Sequence, residues 1–566
     1  VSGARTGVPP CLLLVAALAA GGCRKAEAPG SAASGGSAAA AAQAPADLKW
    51  DEGVPRLIRN GPLSRLELAD LIVRSIEETG KDRIDDVEAL LADDAKHDAR
   101  AAILMGRART VGMSADLHQA RTWFDLAELN GGDPAEVAAG RAVLAQLAGN
   151  PDQAMKLLAQ VPSTHRDSAH LEAVLGQLLR EAGRLDEAEK RLVHAASAAP
   201  TEGEPEFQLA LIAEERGDAE AYAKALDETI RRDPGHPGAR LARARLRQHD
   251  ANPDAAKDAE IHRLLIRNGE LKRRPPDDEA AGLERIANAK QLVEMEPDVP
   301  AWRGQLIEAL VARRRNPEAL DVIRQAEAIT KDPVDLARFA RLAYELDDLA
   351  LAERMAQHAL AGLPASAAGS SKPRTAAAAT LGACLLRAGR GPEALASLEV
   401  AATLAPEQAD VRTLYAHALR AAGQNEAALR EYWAAYQINP ENAHALAGLA
   451  ALLQEAGRSD EAQEALAEAT RLAPDEPAVE ASRTVVLAGR GDAEGAIIAA
   501  QRASHLAPED RVLHYQAGFL LLQAGRAAEA VAELEKATSA DGTGMAPGNA
   551  TRLLEQARQA AAAKKP

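Results

Sequence analysis

The chain has 566 residues, a formal net charge of −17 and only 2% aromatic residues. That acidic balance argues against nucleic acid as a partner, because a phosphate backbone would be repelled. The Ala-rich composition, with few β-branched runs, points to close-packed helices, since Ala favours the helix and lets axes approach. Length alone suggests about three or four domains, a count that a repeat array would void.

Residues 11–20, CLLLVAALAA, are too short to span a bilayer, which takes about 20 residues, but suit the apolar part of a secretory signal. The run leads into Gly21, Gly22 and Cys23, an ending that resembles the lipobox of bacterial lipoproteins, with Ala20 where Leu is commonest. The resemblance implies a signal peptide over 1–22, lipid on Cys23 and a periplasmic chain held at a membrane. Arg24, rather than Asp, after the Cys implies sorting to the outer membrane of a Gram-negative bacterium. A plain secretory signal, with Cys23 incidental, is the alternative. Residues 23–47 are a low-complexity tether of the kind a lipid-anchored domain needs to clear the membrane surface. Only Cys384 is then left in the body of the chain, so no internal disulfide is expected there; it reads as a small buried apolar residue.

Residues 48–100 are helical by pattern, as in LELADLIVRSIEE and IDDVEALLADD, and form an expected N-terminal cap or degenerate repeat. From 101 to 236 a register emerges. Gly176, Gly183, Ala188, Ala195 and Pro200 give one complete copy, and Ala210, Gly217 and Pro234 continue its phase. Ala142, Gly149 and Ala154 fit an earlier copy, and Ala108, Ala120 and Ala127 one before that. Residues 237–299 hold phase only briefly and are read as a divergent repeat and joint, interrupted by RNGELKRRPPDDE. Over 300–366 the pairs Ala319–Ala326 and Ala352–Ala359 mark two copies without a turn Gly. Residues 367–374 are expected to be an insertion loop.

The register is strict over 375–544. Gly389, Gly423, Gly457, Gly491 and Gly525 are 34 residues apart, as are Pro406, Pro440, Pro474 and Pro508. Ala394, Ala428, Ala462, Ala496 and Ala530 keep the same spacing, and so do Ala401, Ala435, Ala469, Ala503 and Ala537. The Gly suits a left-handed turn ending one helix, the Ala pair lets a neighbouring helix approach, and the Pro separates one hairpin from the next. A hairpin of this kind cannot bury its own apolar face, so hairpins must stack. Residues 545–566 are expected to be a capping helix, with Leu553, Leu554 and Ala557 inward.

This pattern resembles the tetratricopeptide repeat family. The resemblance implies an all-α, right-handed α-solenoid of 34-residue helix hairpins, whose concave groove binds proteins or extended peptides. Groove positions carried over from the family are Asp410, Thr413, His417 and Arg420, then His444 and Gln454, then Val512, Tyr515, Phe519 and Leu522. The Lys and Asn of the family's chaperone-binding carboxylate clamp are missing there. Tyr515 and Phe519 share a face four residues apart. They either line a partner groove or lie beneath the C-terminal helix, the latter favoured because an array end needs a cover.

Chemistry is sparse. There is no HExxH, CxxC, GxSxG or phosphate-binding Gly–Lys loop, so no metal, cofactor or catalytic residue is expected. GRGDAEG at 489–495 is explained by the turn register, and the basic runs Lys272–Arg274 and Arg313–Arg315 read as solvated turns. The expected function is therefore a lipid-anchored periplasmic scaffold for an envelope, secretion, pilus or polysaccharide-export complex. The alternative is a repeat subunit accessory to a glycan-processing or glycosyltransferase enzyme.

Overall fold

The computed structural model describes residues 58, 61–79, 83–110, 116–160, 169–198, 203–249, 252, 254–275, 278–364, 371–539 and 550–563. Among them there are 28 α-helices and no strand. The chain opens with α1 (Arg65–Thr79), α2 (Ile84–Leu91), a 3-10 turn (Asp94–Lys96), α3 (Ala99–Ala108) and α4 (Leu117–Leu129). It continues through α5 (Pro134–Leu147), α6 (Pro151–Gln160), α7 (Ala169–Glu181), α8 (Leu185–Ala198), α9 (Glu204–Arg216) and α10 (Ala219–Arg232). Next come α11 (Pro237–His249), α12 (Ala255–Lys272), α13 (Glu279–Met295), α14 (Pro300–Ala312), α15 (Asn316–Ile329), α16 (Pro333–Glu345) and α17 (Leu349–Gly362). The regular stretch holds α18 (Ser371–Arg387), α19 (Gly391–Leu404), α20 (Ala409–Ala421), α21 (Asn425–Ile438), α22 (Ala443–Glu455), α23 (Ser459–Leu472), α24 (Pro477–Gly489), α25 (Ala493–Leu506), α26 (Arg511–Gln523) and α27 (Ala527–Ala537), with α28 (Ala550–Ala563) at the end.

The contacts divide the chain into two units. One comprises Val1–Lys49, Arg65–Asp335 and Pro364–Ser371; the other comprises Trp50–Ser64, Leu336–Leu363 and Lys372–Pro566. Inside each, helices pair as antiparallel hairpins that pack on their neighbours, the arrangement of an α-solenoid.

The register explains this packing. The turn glycines Gly183, Gly217, Gly389, Gly423, Gly457, Gly491 and Gly525 all have φ between 73° and 83°, the left-handed region. Ala394, Ala428, Ala462, Ala496 and Ala530 are wholly buried. Gly382 faces Leu398 so closely that a Cβ would lie 2.3 Å from its Cγ. In the two copies that lack the turn Gly, Arg314 (φ 55°) and Asp347 (φ 70°) occupy the turn; among the described residues every other position of positive φ is a glycine. The turn geometry is thus kept even where its usual residue is missing.

A polar lock recurs six residues after the separating Pro. Arg412 donates to the Pro406 carbonyl at 2.6 Å and pairs with Glu431 of the second helix at 2.7 Å. His514 does the same with the Pro508 carbonyl at 2.9 Å and Glu533 at 2.5 Å. Glu172 and Arg191 reverse the charges at the same separation. The lock ties a hairpin's two helices together, and through the carbonyl it also holds the entering loop.

Two expectations need adjustment. Residues 371–374, assigned to the insertion loop, form the first turn of α18: Pro373 suits that turn, and Arg374 donates to the Leu363 carbonyl. Residues 367–370 lie outside the described part. The joint at 237–299 holds three full helices, and RNGELK is the end of the 18-residue α12 rather than an interruption. What breaks the 34-residue phase is helix length. At the C-terminal end, α28 buries Leu553, Leu554 and Ala557 against Leu521, Ala530 and Leu534.

Candidate binding surface

The groove residues expected in the second unit are largely engaged in holding helices together. Asn442 caps α22 by accepting from Ala445 N–H and donates to Asp410 (3.2 Å) and to the buried Thr413 hydroxyl (3.1 Å). His417 takes a hydrogen bond at Nδ1 from the Tyr432 hydroxyl, 2.6 Å away. Burial, with His444 and Arg420 nearby, pushes the His417 imidazole down to about 4, so it is neutral at pH 7 and suited to accept. Arg420 reaches Glu455 at 3.4 Å. His444 is exposed, with Glu476 4.0 Å away. Gln454 packs against Gly489, where a Cβ would lie 2.5 Å from its Nε2.

The apolar stripe on α26 divides. Tyr515 and Leu522 pack toward the cluster that includes Leu553 and Leu554. Val512 and Phe519 stay 41% and 38% exposed, although the Tyr515 and Phe519 rings stack at 6.3 Å. The C-terminal helix therefore covers only part of the stripe.

An open recess lies in the first unit instead. It has a volume of about 330 Å³ between α9, α10 and α11, and its apolar wall is Phe207, Leu211, Leu241 and Leu246. Phe207, Leu211 and Glu214 stand ten, six and three residues before Gly217, as Thr413, His417 and Arg420 stand before Gly423. These are the same register positions, and two of them, at Phe207 and Leu211, carry apolar side chains here. Tyr222 takes the place that small Ala holds elsewhere and lines the recess together with Glu214. Burial, followed by the Glu214 charge, raises this phenol above its ordinary range. Arg245 stands exposed at the mouth. The recess could have been found from the sequence: a Tyr at a small-residue position forces helices apart.

Beside the recess, α11 to α14 are joined by a buried ionic network. Arg240, 1% exposed, donates to Asp258 at 3.0 Å, to both oxygens of Glu296 and to the Pro234 carbonyl. Asp258 also accepts from Arg243 and Arg247. Burial raises the Asp258 carboxyl, but Arg243, Arg240 and Arg247 act against it and the group is held below its usual range. Trp302 donates to Glu296 at 3.0 Å. Cys384 is buried in α18, and burial pushes its thiol up to about 11. Among the described residues no group of three or more His, Cys, Asp or Glu is placed to hold a metal ion. No described helix is long and apolar enough to cross a membrane.

A family profile described as tetratricopeptide repeat matches residues 145–214 and 419–484. No curated protein sequence matches the chain. Among solved structures, the chain is similar to the APC/C hetero-tetramer Cut9-Hcn1 at 14% identity and TM-score 0.36, over 88% of this chain and 96% of that one. It is similar to YrrB, a repeat protein with an unusual peptide-binding site, at 21% identity and TM-score 0.26, over 36% of this chain and 96% of that one. The protein TTC0263 of Thermus thermophilus matches at 21% identity and TM-score 0.29, over 33% of this chain and 99% of that one. The profile match to the tetratricopeptide repeat is thus confined to residues 145–214 and 419–484, where the described residues form paired helices.

Proposed function

We propose that the protein is a binding scaffold that receives a polypeptide in the recess between α9 and α11. The observation that carries this reading is the recess itself: half-buried Phe207, Leu211 and Leu241 at groove positions, with no polar role in the fold. A partner's apolar side chain fills the recess, while Glu214 and Arg245 at its rim fix the direction of the partner backbone. No catalytic group is needed for this. Leu211→Glu with Leu241→Glu places two carboxylates in the apolar wall; the variant keeps its helicity and loses the proteins that co-purify with the wild type. Retention of the same partners by a folded double variant rejects the recess as the site.

The lipobox-like ending at Cys23 supports an anchored, periplasmic scaffold at the outer membrane, serving an envelope, secretion, pilus or polysaccharide-export complex. These residues lie outside the described part, and the support is from sequence. Cys23→Ser releases the protein from the membrane fraction or blocks its processing, because one residue carries the lipid. A substituted protein that still partitions wholly into outer membrane contradicts the anchor.

A further inference from the structure

Within the regular repeats, one side of each second helix faces solvent. Thr403, Arg471 and His505 stand at equivalent positions 34 or 68 residues apart, and all three are exposed. Gln437, at the same position of α21, is 1% exposed, and Trp433 and Tyr436 beside it are 3% and 5% exposed. The cover includes a segment 374 positions away in the chain.

Gln437 uses its whole side-chain amide on that segment. Its Nε2 donates to the Ile58 carbonyl at 2.7 Å and to the Leu63 carbonyl at 3.2 Å, while its Oε1 accepts from the Leu63 N–H at 3.0 Å. The Gly61 N–H donates to the Ile58 carbonyl at 3.3 Å and closes the turn. At Gly61 a Cβ would lie 2.1 Å from the Gln437 Cδ, so a side chain there would push the Gln437 amide out of its bonds to the segment. All bonds from Gln437 run to backbone groups, as in recognition of a bound peptide rather than packing of two elements.

We propose that this side of α21 is a peptide-recognition site, keyed by Gln437, for a turn of the form Ile-x-x-Gly-Pro-Leu, and that the chain's own Ile58 and Gly61–Ser64 are its exchangeable occupant. The site lies on a different surface from the recess and stands independently of it. When the chain's own segment leaves, the site takes the same turn presented from outside.

The test uses the full chain and a fluorescein-labelled peptide of residues 57–66, LIRNGPLSRL, followed by fluorescence anisotropy. Gly61→Val breaks the resident segment's bonds to Gln437 by the clash with its amide, which loosens the segment. Leu63→Pro does so by a second route, removing the N–H that bonds Oε1. Either variant, with helicity retained by circular dichroism, binds the peptide at least about tenfold more tightly than the wild type, whose site is filled. Adding Gln437→Leu to either variant abolishes binding. Equal binding with and without Gln437, or no binding to either variant up to about 1 mM peptide, overturns the proposal.

Discussion

Arg240 and Glu296 form a two-point ion pair, at 2.9 and 2.7 Å, across 56 positions of sequence, and it sits within the stretch where the repeat register lapses. Together with Asp258 it adds ion pairing to the packing that holds α11 against α12 and α13. Buried charges of this kind are costly to leave alone.

Asp258→Asn removes the acceptor charge shared by Arg240, Arg243 and Arg247. The expected loss is about 3–5 kcal/mol of local stability, as for one broken partner of a buried pair. Hydrogen exchange should speed up in α11, α12 and α13 while α20 to α27 keep their protection. Unchanged exchange in α12 would show that packing, not charge, fixes this region.

The left-handed turns at Arg314 and Asp347 are places to gain stability. A non-Gly residue there costs roughly 1–2 kcal/mol in Cβ contact with the following carbonyl. Arg314→Gly and Asp347→Gly should each slow local exchange at the ends of α14 and α16. The reverse change, Gly457→Val, should speed exchange in α22 and α23, because a β-branched residue resists positive φ. Opposite signs in either pair would contradict the turn assignment.

Much of this fold could be read from the sequence, because its requirements are local. A positive φ calls for Gly, a close helix approach calls for Ala, and both recur every 34 residues. Ala469, expected as a contact point, is wholly buried. The polar duties of the groove were not legible: nothing in the spacing of Thr413 and Asn442 shows that they bond. Nor was the docking of Leu63 on Gln437, since no local pattern links residues so distant in sequence. Its one trace was YWAAYQI, an aromatic cluster where equivalent helices carry charged and small residues.

His417 gives a pH dependence with a defined sign. Its folded value of about 4 lies below the ordinary 6.5, so the unfolded chain binds a proton that the folded chain refuses. Its contribution is present above pH 6.5 and is lost as pH falls toward 4, on the order of 3 kcal/mol at the limit. Thermal melts of the wild type and His417→Gln should therefore converge as pH drops from 7 to about 4.5. Parallel curves would mean that His417 titrates normally despite Tyr432, His444 and Arg420 around it.

Ala469→Leu forces a larger side chain between helices that meet at a wholly buried methyl. Overpacking of this kind costs roughly 1–3 kcal/mol. The melting temperature should fall while the circular dichroism spectrum stays helical. No change would mean that α23 can shift to admit the side chain.

The recess between α9 and α11 is tested most directly by photo-crosslinking from inside it. A benzophenone side chain at Leu241, on the recess wall, is compared with one at Leu283, which is 50% exposed on α13 and outside the recess. In whole-cell extracts position 241 is expected to capture a defined polypeptide, position 283 is not, and Leu211→Glu is expected to abolish the capture. Equal capture from both positions, or capture from 241 that Leu211→Glu leaves intact, would contradict this expectation.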